Sequence, residues 1–305
     1  MKITTFIRKV YRRLHLYGWF NFLPDALDIK LLYLAHMGKL PNLKKPQTFN
    51  EKLNWLKLND HNPLYTTLVD KYAVKEWVAK KIGEQYVIPT LGVWNNFDDI
   101  DFSKLPNQFV LKCTHDSAGL IICKDKSQLD KKKVRNKLSK CLKRNFYYIA
   151  REWPYKHVPP RIIAEQYMED IQDGELRDYK FHTFNGEPKF ILIASNRHIK
   201  EKKRFDYFDM DFNHINLQDI STPNSAINYP HKPKNFELMK KFCRILAKDI
   251  PAVRVDFYEV NGQLYFGEMT FFDDGGFMQA KPTTWEKEWG DLIDLSTIKK
   301  DNSDY

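Results

Sequence analysis

The chain is short of the residues that punctuate or staple a fold. Glycine contributes only 12 of 305 residues, too few for a collagen-like or linker-rich organisation. The four cysteines, Cys113, Cys123, Cys141 and Cys243, form no CxxC pair and have no ligand spacing with histidine. That argues against a zinc site, and lone thiols in apolar surroundings fit a reducing compartment. No stretch reaches the roughly 18–20 apolar residues that cross a bilayer. No uninterrupted apolar run follows the basic N-terminus, so a secretory signal is not expected and the cytoplasm is the expected location. There is no internal repeat, no His-Arg-Asp loop and no Asp-Phe-Gly, which counts against a protein kinase. Acidic residues are outnumbered, 39 against 49 Lys and Arg, for a net charge of +10. Such a balance suggests an anionic partner: nucleotide, acidic polysaccharide, nucleic acid or anionic membrane.

What is present suffices for a core. Hydrophobic residues make up 43% and aromatics 14%, and the length fits one extended enzyme or two to three interlocked lobes. Within residues 1–20, Ile3, Phe6, Ile7, Val10, Tyr11 and Leu14 recur at helical spacing among Lys2, Arg8, Lys9, Arg12 and Arg13. This basic amphipathic helix can lie on an anionic membrane or dock on its own protein. Residues 21–95 read mostly helical, with a capping box at Thr48-Phe-Asn-Glu51 and a further helix over residues 68–82. Short strand-like runs at 108–114 and 119–124 precede a basic helix over 129–152. Strands follow at 161–165, 176–185 and 188–195, the last two joined at Asn185-Gly186, a hairpin signal. Residues 200–230 read as irregular and 236–248 as helix. Strands at 252–259 and 263–269 meet across Asn261-Gly262.

Four stretches carry chemistry. Lys112 ends an apolar strand ahead of a small, polar loop containing Ser117 and Gly119. Lysine suits phosphate as a point charge, and small residues let backbone N–H groups approach it. A second apolar strand runs into Glu165-Gln166-Tyr167-Met168, where backbone can meet an adenine edge and Glu169 or Asp170 a ribose. Asp178 and Lys180 share a strand face by period-2 alternation, either sharing a phosphate load or forming a solvated charge pair. In the last hairpin, Asp256 and Glu268 sit among apolar residues, with Arg254 and Thr270 on the same faces. Carboxylates there are costly to bury without a cation. They can hold magnesium, which takes one or two carboxylates plus phosphate oxygens, or form a buried Arg–Asp–Glu salt-bridge cluster.

The order of these elements resembles the ATP-grasp superfamily over residues 65–280. Gln47-Thr-Phe-Asn-Glu-Lys-Leu-Asn-Trp, Asp70-Lys-Tyr-Ala-Val-Lys, Asp178-Tyr-Lys-Phe and Gly267-Glu-Met-Thr-Phe resemble, more narrowly, the TupA-like ATP-grasp proteins of bacterial surface-polysaccharide synthesis. The resemblance implies an α+β fold with two lobes clamping ATP, preceded by a mainly helical region. The boundaries are 1–64 for the helical region, 65–285 for the ATP-grasp domain (lobes at about 100–168 and 169–285), and 286–305 for a tail. It implies ATP and Mg2+ as cofactors. ATP would be met by Lys71, on the family's first lysine helix, by Lys112, Ser117, Gly119, Glu165, Gln166, Tyr167 and Met168, and by Asp178. Asp256, Glu268 and Thr270 would hold metal, while Lys180 and Arg254 would act in catalysis. The implied reaction is a carboxylate–amine ligation through an acyl phosphate, amidating a uronic acid with an amine donor and involving no nucleic acid. Two departures stand out. The loop after Lys112 has one glycine, and Thr270 replaces the usual asparagine, which weakens a second metal site. Asp273 and Asp274 either add ligands or form a solvated turn. The rival readings are a glycosyltransferase, against which the lack of a Rossmann-like strand–helix alternation counts, and a non-enzymatic binder of anionic polysaccharide.

Overall fold

Hairpins and caps written into the sequence account for most of the framework seen in the computed structural model. It describes residues 2–171, 175–196, 199, 201–225 and 227–298, so Met1 and the end of the expected tail, residues 299–305, lie outside it. Helices α1 (Lys2–Leu16) and α2 (Asp25–Met37) pack together through a buried polar knot. The Asp28 carboxylate accepts from Tyr11 (2.9 Å), meets His15 (2.9 Å) and pairs with Arg151 (2.5 Å). Burial alone would raise its pKa, but His15 and Arg151 prevail and lower it. The first helix is therefore docked on its own protein along this face.

Helix α3 (Phe49–Asn59) opens with the expected capping box of Thr48 and Glu51. The single helix expected over 68–82 is two, α4 (Leu64–Val69) and α5 (Ala73–Ile82). The break has a local cause. The Asp70 carboxylate accepts from the amides of Tyr72 (2.9 Å) and Ala73 (3.3 Å), a short polar side chain competing with the helix for backbone donors. Lys71 consequently sits in a turn, its amide donating to Thr114 O at 3.1 Å.

The first sheet comprises β1 (Thr90–Trp94), β2 (Phe109–Cys113), β3 (Leu120–Cys123) and β4 (Ile162–Gln166), in the antiparallel order β1-β4-β2-β3. Helix α6 (Lys131–Leu142) covers it with Val134 and Leu138. The basic helix expected to reach residue 152 stops at Leu142. His115 engages the carbonyls of Cys141 (3.1 Å) and Arg144 (3.2 Å), and Asn145 Oδ1 accepts from Tyr147 N (3.0 Å) at the start of a separate turn, α7 (Tyr147–Ala150).

The second sheet joins β5 (Asp178–Phe184), β6 (Glu187–Ser195), β7 (Arg204–Asp209), β8 (His214–Ile215), β10 (Ala252–Val260) and β11 (Gln263–Thr270), in the order β11-β10-β5-β6-β7-β8; β9 (Gln218–Asp219) pairs separately with β12 (Ala280–Lys281). Both Asn-Gly hairpins form, with positive φ at Asn185 (49°) and Asn261 (50°) as such turns demand. The stretch expected to be irregular at 200–230 contributes β7, β8 and β9: Tyr207 and Phe208 are buried, a signal masked by the charged residues around them. Helix α8 (Phe236–Leu246) closes one face. On the other, α9 (Trp285–Asp291) sets Trp289 against Phe184 and Phe190 and, with Trp285, against Phe49 of α3. No helix among the described residues is long and apolar enough to cross a membrane.

Candidate active site

A cleft of about 700 Å3 runs between the sheets, with Ile88, Val110 and Ile122 forming apolar walls and Lys71, Lys112 and Glu268 at its polar end. Strand pairing sets the first cation pair: Glu165 of β4 lies beside β2, and its two oxygens take Lys112 and Lys75, each at 2.5 Å. Burial would push this carboxyl up, yet the two ammonium groups outweigh it and hold its pKa at about 2. Glu165 thus positions Lys112 and Lys75. At the end of β4 and just past it, Gln166, Tyr167, Met168 and Glu169 line the cleft. Asp170 is turned away to accept from Asn261 N at 2.7 Å.

The loop after β2 is pinned from below. Lys71 Nζ donates to Asp116 O (2.6 Å), and Asp116 Oδ1 accepts from Gly119 N (2.9 Å). A Cβ on Gly119 would sit 2.5 Å from Cys113 Sγ, so this glycine answers to packing. The ligand atoms of Cys113, Asp116 and Cys141 come within 4.8 Å of one another, a cluster that sequence spacing did not show. Burial raises both thiols, Cys141 to about 11, so they remain protonated at neutral pH.

In the second sheet, Asp256 and Glu268 stand directly opposite on β10 and β11. Asp256 is fully engaged: Arg254 Nε reaches Oδ1 at 2.8 Å, Nη2 reaches Oδ2 at 3.0 Å, and Lys180 reaches Oδ2 at 2.5 Å. Lys180 also pairs with Asp178 at 3.0 Å. Arg254 further bonds Asp273 and, at 3.1 Å, the Thr270 hydroxyl, while His182 meets Asp273 at 3.0 Å. Burial would raise Asp273, but Arg254 and then His182 hold it far below the usual carboxylate range. Glu268 stands apart. Its ion pair with Arg254 is loose, at 3.7 Å, and its side chain is 40% exposed.

A second cavity, of about 740 Å3, opens beyond and shares Lys71, Ser117 and Glu268 with the cleft. Arg254, Thr270, Asp273 and Asp274 line it, as do Lys9, Arg12 and Arg13 of α1. The acidic loop is clamped by one stripe of α3. Asn50 Nδ2 donates to Met278 O (2.8 Å), Asn54 Nδ2 to Gly276 O (2.8 Å), and Lys57 Nζ to Gly275 O (2.5 Å) and Ala150 O (2.8 Å). The clamp keeps Asp274 in the left-handed region, φ 47°. The residue keeps solvent contact, yet partial desolvation, then Asp273 and Asp219, lift its pKa to about 6.

Residues 51–294 match the family model of TupA-like ATP-grasp proteins. The chain belongs to that family. No curated protein matches it. Among solved structures, it is similar to D-alanine–D-alanine ligase from Bacillus anthracis complexed with ATP (18% identity, TM-score 0.37, covering 67% of this chain and 54% of that one). It is also similar to D-alanine–D-alanine ligase from Helicobacter pylori (12%, 0.40, 76% and 61%). A third is the ATP-grasp ligase PsnB complexed with minimal precursor, Mg and ADP (8%, 0.38, 80% and 58%). The chain thus spans little more than half the length of these ligases, and membership rests on the family match.

Set on this TupA-like ATP-grasp framework, the expected residues divide. Lys71, Lys112, Ser117, Gly119, Glu165, Gln166, Tyr167, Met168 and Glu268 line the cleft. Arg254, Thr270 and again Glu268 line the second cavity. Asp178, Lys180 and Asp256 belong to the buried network behind them, and Asp178 and Lys180 form a buried pair, not a solvated one. Asp273 is not a solvated turn residue: Arg254 and His182 occupy it. Sequence reading missed Lys75, although it lies four residues after Lys71, and it missed the Asn50, Asn54 and Lys57 stripe. Magnesium asks for one or two carboxylates and keeps water or phosphate oxygens for the rest. Glu268 fits that demand as it stands. Asp256 fits by exchanging Lys180 or an Arg254 nitrogen for the metal, and Thr270 offers a neutral oxygen.

Proposed function

We propose that this protein is an ATP- and Mg2+-dependent ligase that joins a carboxylate to an amine through an acyl phosphate, and that the acid is a uronic acid of a bacterial surface polysaccharide. The observation that carries the reading is Glu268 at the junction of two cavities, with Lys71 lining both as well and Lys112 in the cleft. The apolar cleft suits the base and the lysines suit the phosphate chain. Bound Mg2+, held by Glu268 and Asp256, would neutralise charge on the phosphates. A carboxylate oxygen of the acid attacks the γ-phosphorus; the bond to the β-phosphate oxygen breaks and ADP leaves. The amine then attacks the acyl carbon, the C–O bond to phosphate breaks, and the amine proton passes to solvent. Lys71, Lys112 and Arg254 position and neutralise, which is where most of the acceleration arises in such transfers.

The polysaccharide setting and the amine rest on the family and on the +10 net charge, which draws acidic saccharides by long-range attraction. A peripheral contact with anionic lipid belongs to the same proposal: Phe6, Ile7 and Val10 of docked α1 remain exposed, as do Trp19 and Phe22 just beyond it. The deciding assay is phosphate release from ATP across uronic acids and amines, with and without Mg2+. Release that requires acid, amine and Mg2+ together supports the ligase. A larger thermal shift with a sugar nucleotide than with Mg·ATP would sink it in favour of a glycosyltransferase.

A further inference from the structure

Helix α1 lies before residue 51, where the family match begins, and it has three faces. Arg8, Tyr11 and His15 form the docking face. Arg8 donates to Ala35 O (3.1 Å) and His36 O (2.9 Å), and the other two meet Asp28. Phe6, Ile7 and Val10 point outward. Between these sectors at helical spacing, Lys9, Arg12 and Arg13 line the second cavity. Among the described residues, no carboxylate forms an ion pair with any of the three. His36, also on this cavity, reports the local field: burial first, and then Arg12, Lys57, His15 and Arg8, lower its pKa to about 4. Lys71, Ser117 and Glu268 line the same cavity and also the nucleotide cleft, so the two spaces meet there.

We infer that Lys9, Arg12 and Arg13 are the recognition wall for an acid carrying more than one carboxylate, an oligouronate. One carboxylate reacts at the Glu268 end while its neighbours are held by α1. This inference rests on the ligase reading and adds the residues that would hold the acid's further carboxylates. The cavity volume lies within the range of small-molecule sites, roughly 300–1,000 Å3. Three cations on one wall discriminate acid from neutral sugar by charge, and they do so less at high salt. The wall lies outside residues 51–294, the span that the family model matches.

The test uses the full chain and calorimetric titration with trigalacturonate, maltotriose and, separately, Mg·ATP, at about 50 mM salt. Trigalacturonate is expected to bind and maltotriose not to. Arg12→Ala/Arg13→Ala should weaken trigalacturonate by about tenfold or more, on the order expected when two charge contacts are lost. Arg12→Lys/Arg13→Lys should recover most of that loss, and Mg·ATP affinity should change less than about twofold in both variants. The wall is overturned by undiminished trigalacturonate binding in the alanine variant, by equal binding of maltotriose, or by no trigalacturonate binding to the parent protein. Absence of Mg·ATP binding to the parent would instead remove the ligase reading, whatever the uronate result. Far-ultraviolet melting of each variant separates a lost contact from a lost fold.

Discussion

The two sheets handle buried charge in opposite ways. In the first, one carboxylate, Glu165, serves two lysines, Lys75 and Lys112. In the second, two cations, Lys180 and Arg254, serve three carboxylates, Asp178, Asp256 and Asp273, with His182 alongside. The first cluster therefore carries surplus positive charge and the second surplus negative charge, to which Glu268 adds. A phosphate chain with a divalent cation at one end matches that polarity. The difference teaches that burial does not make these groups inert: each cluster is left one charge short of neutral, on the side that suits its half of the ligand.

The comparison breaks most visibly if the second cluster loses its hub. Arg254→Ala leaves Asp256 and Asp273 without their shared guanidinium, and urea unfolding should show a loss of about 3–5 kcal/mol. The first cluster should fail next, and in acid. The Glu165 pKa is depressed to about 2, so its contribution is present above the unfolded value and is lost as pH falls from about 4.5 towards 2. Glu165→Gln should flatten stability across that window, removing on the order of 3 kcal/mol of pH dependence. Glu268→Gln tests the open carboxylate. ATP turnover should drop on the order of 100-fold, equivalent to about 2.7 kcal/mol, while the unfolding free energy moves by under about 0.5 kcal/mol. Unchanged turnover would refute the metal assignment. The smallest effect is at Asp274, whose raised pKa of about 6 has the opposite sign. Its ionisation disfavours the folded state as pH rises through about 4 to 6. Asp274→Asn, which tolerates the left-handed backbone, should raise Tm slightly at pH 7.5 and leave it unchanged at pH 4; exposure keeps the gain below about 1 kcal/mol.

Much of this framework was legible because its signals are local. The Asn185-Gly186 and Asn261-Gly262 turns, the Thr48–Glu51 box and the opposed Asp256 and Glu268 all lie within a few residues of their partners or across one hairpin. What escaped depends on distant chain. Asp256 is closed by Lys180, 76 residues away, so no reading of its own hairpin could tell it from the open Glu268. Asp70 ends one helix and starts another while pairing with Arg161, 91 residues on. Tyr207 and Phe208 belong to a strand because β6 offers an edge, a fact absent from their polar surroundings. The cations of α1 read equally as surface or as site until α2 fixes which way they turn.

The α3 clamp has one more consequence. Asn50, Asn54 and Lys57 grip the loop at 275–278 by its main-chain oxygens. The grip touches no carboxylate, but Gly275 and Gly276, at positive φ with Ala150 and Asn54 close by, leave no room there for a side chain. The path of the loop is thus held separately from the charge at Asp274, which can change without redrawing the frame around it.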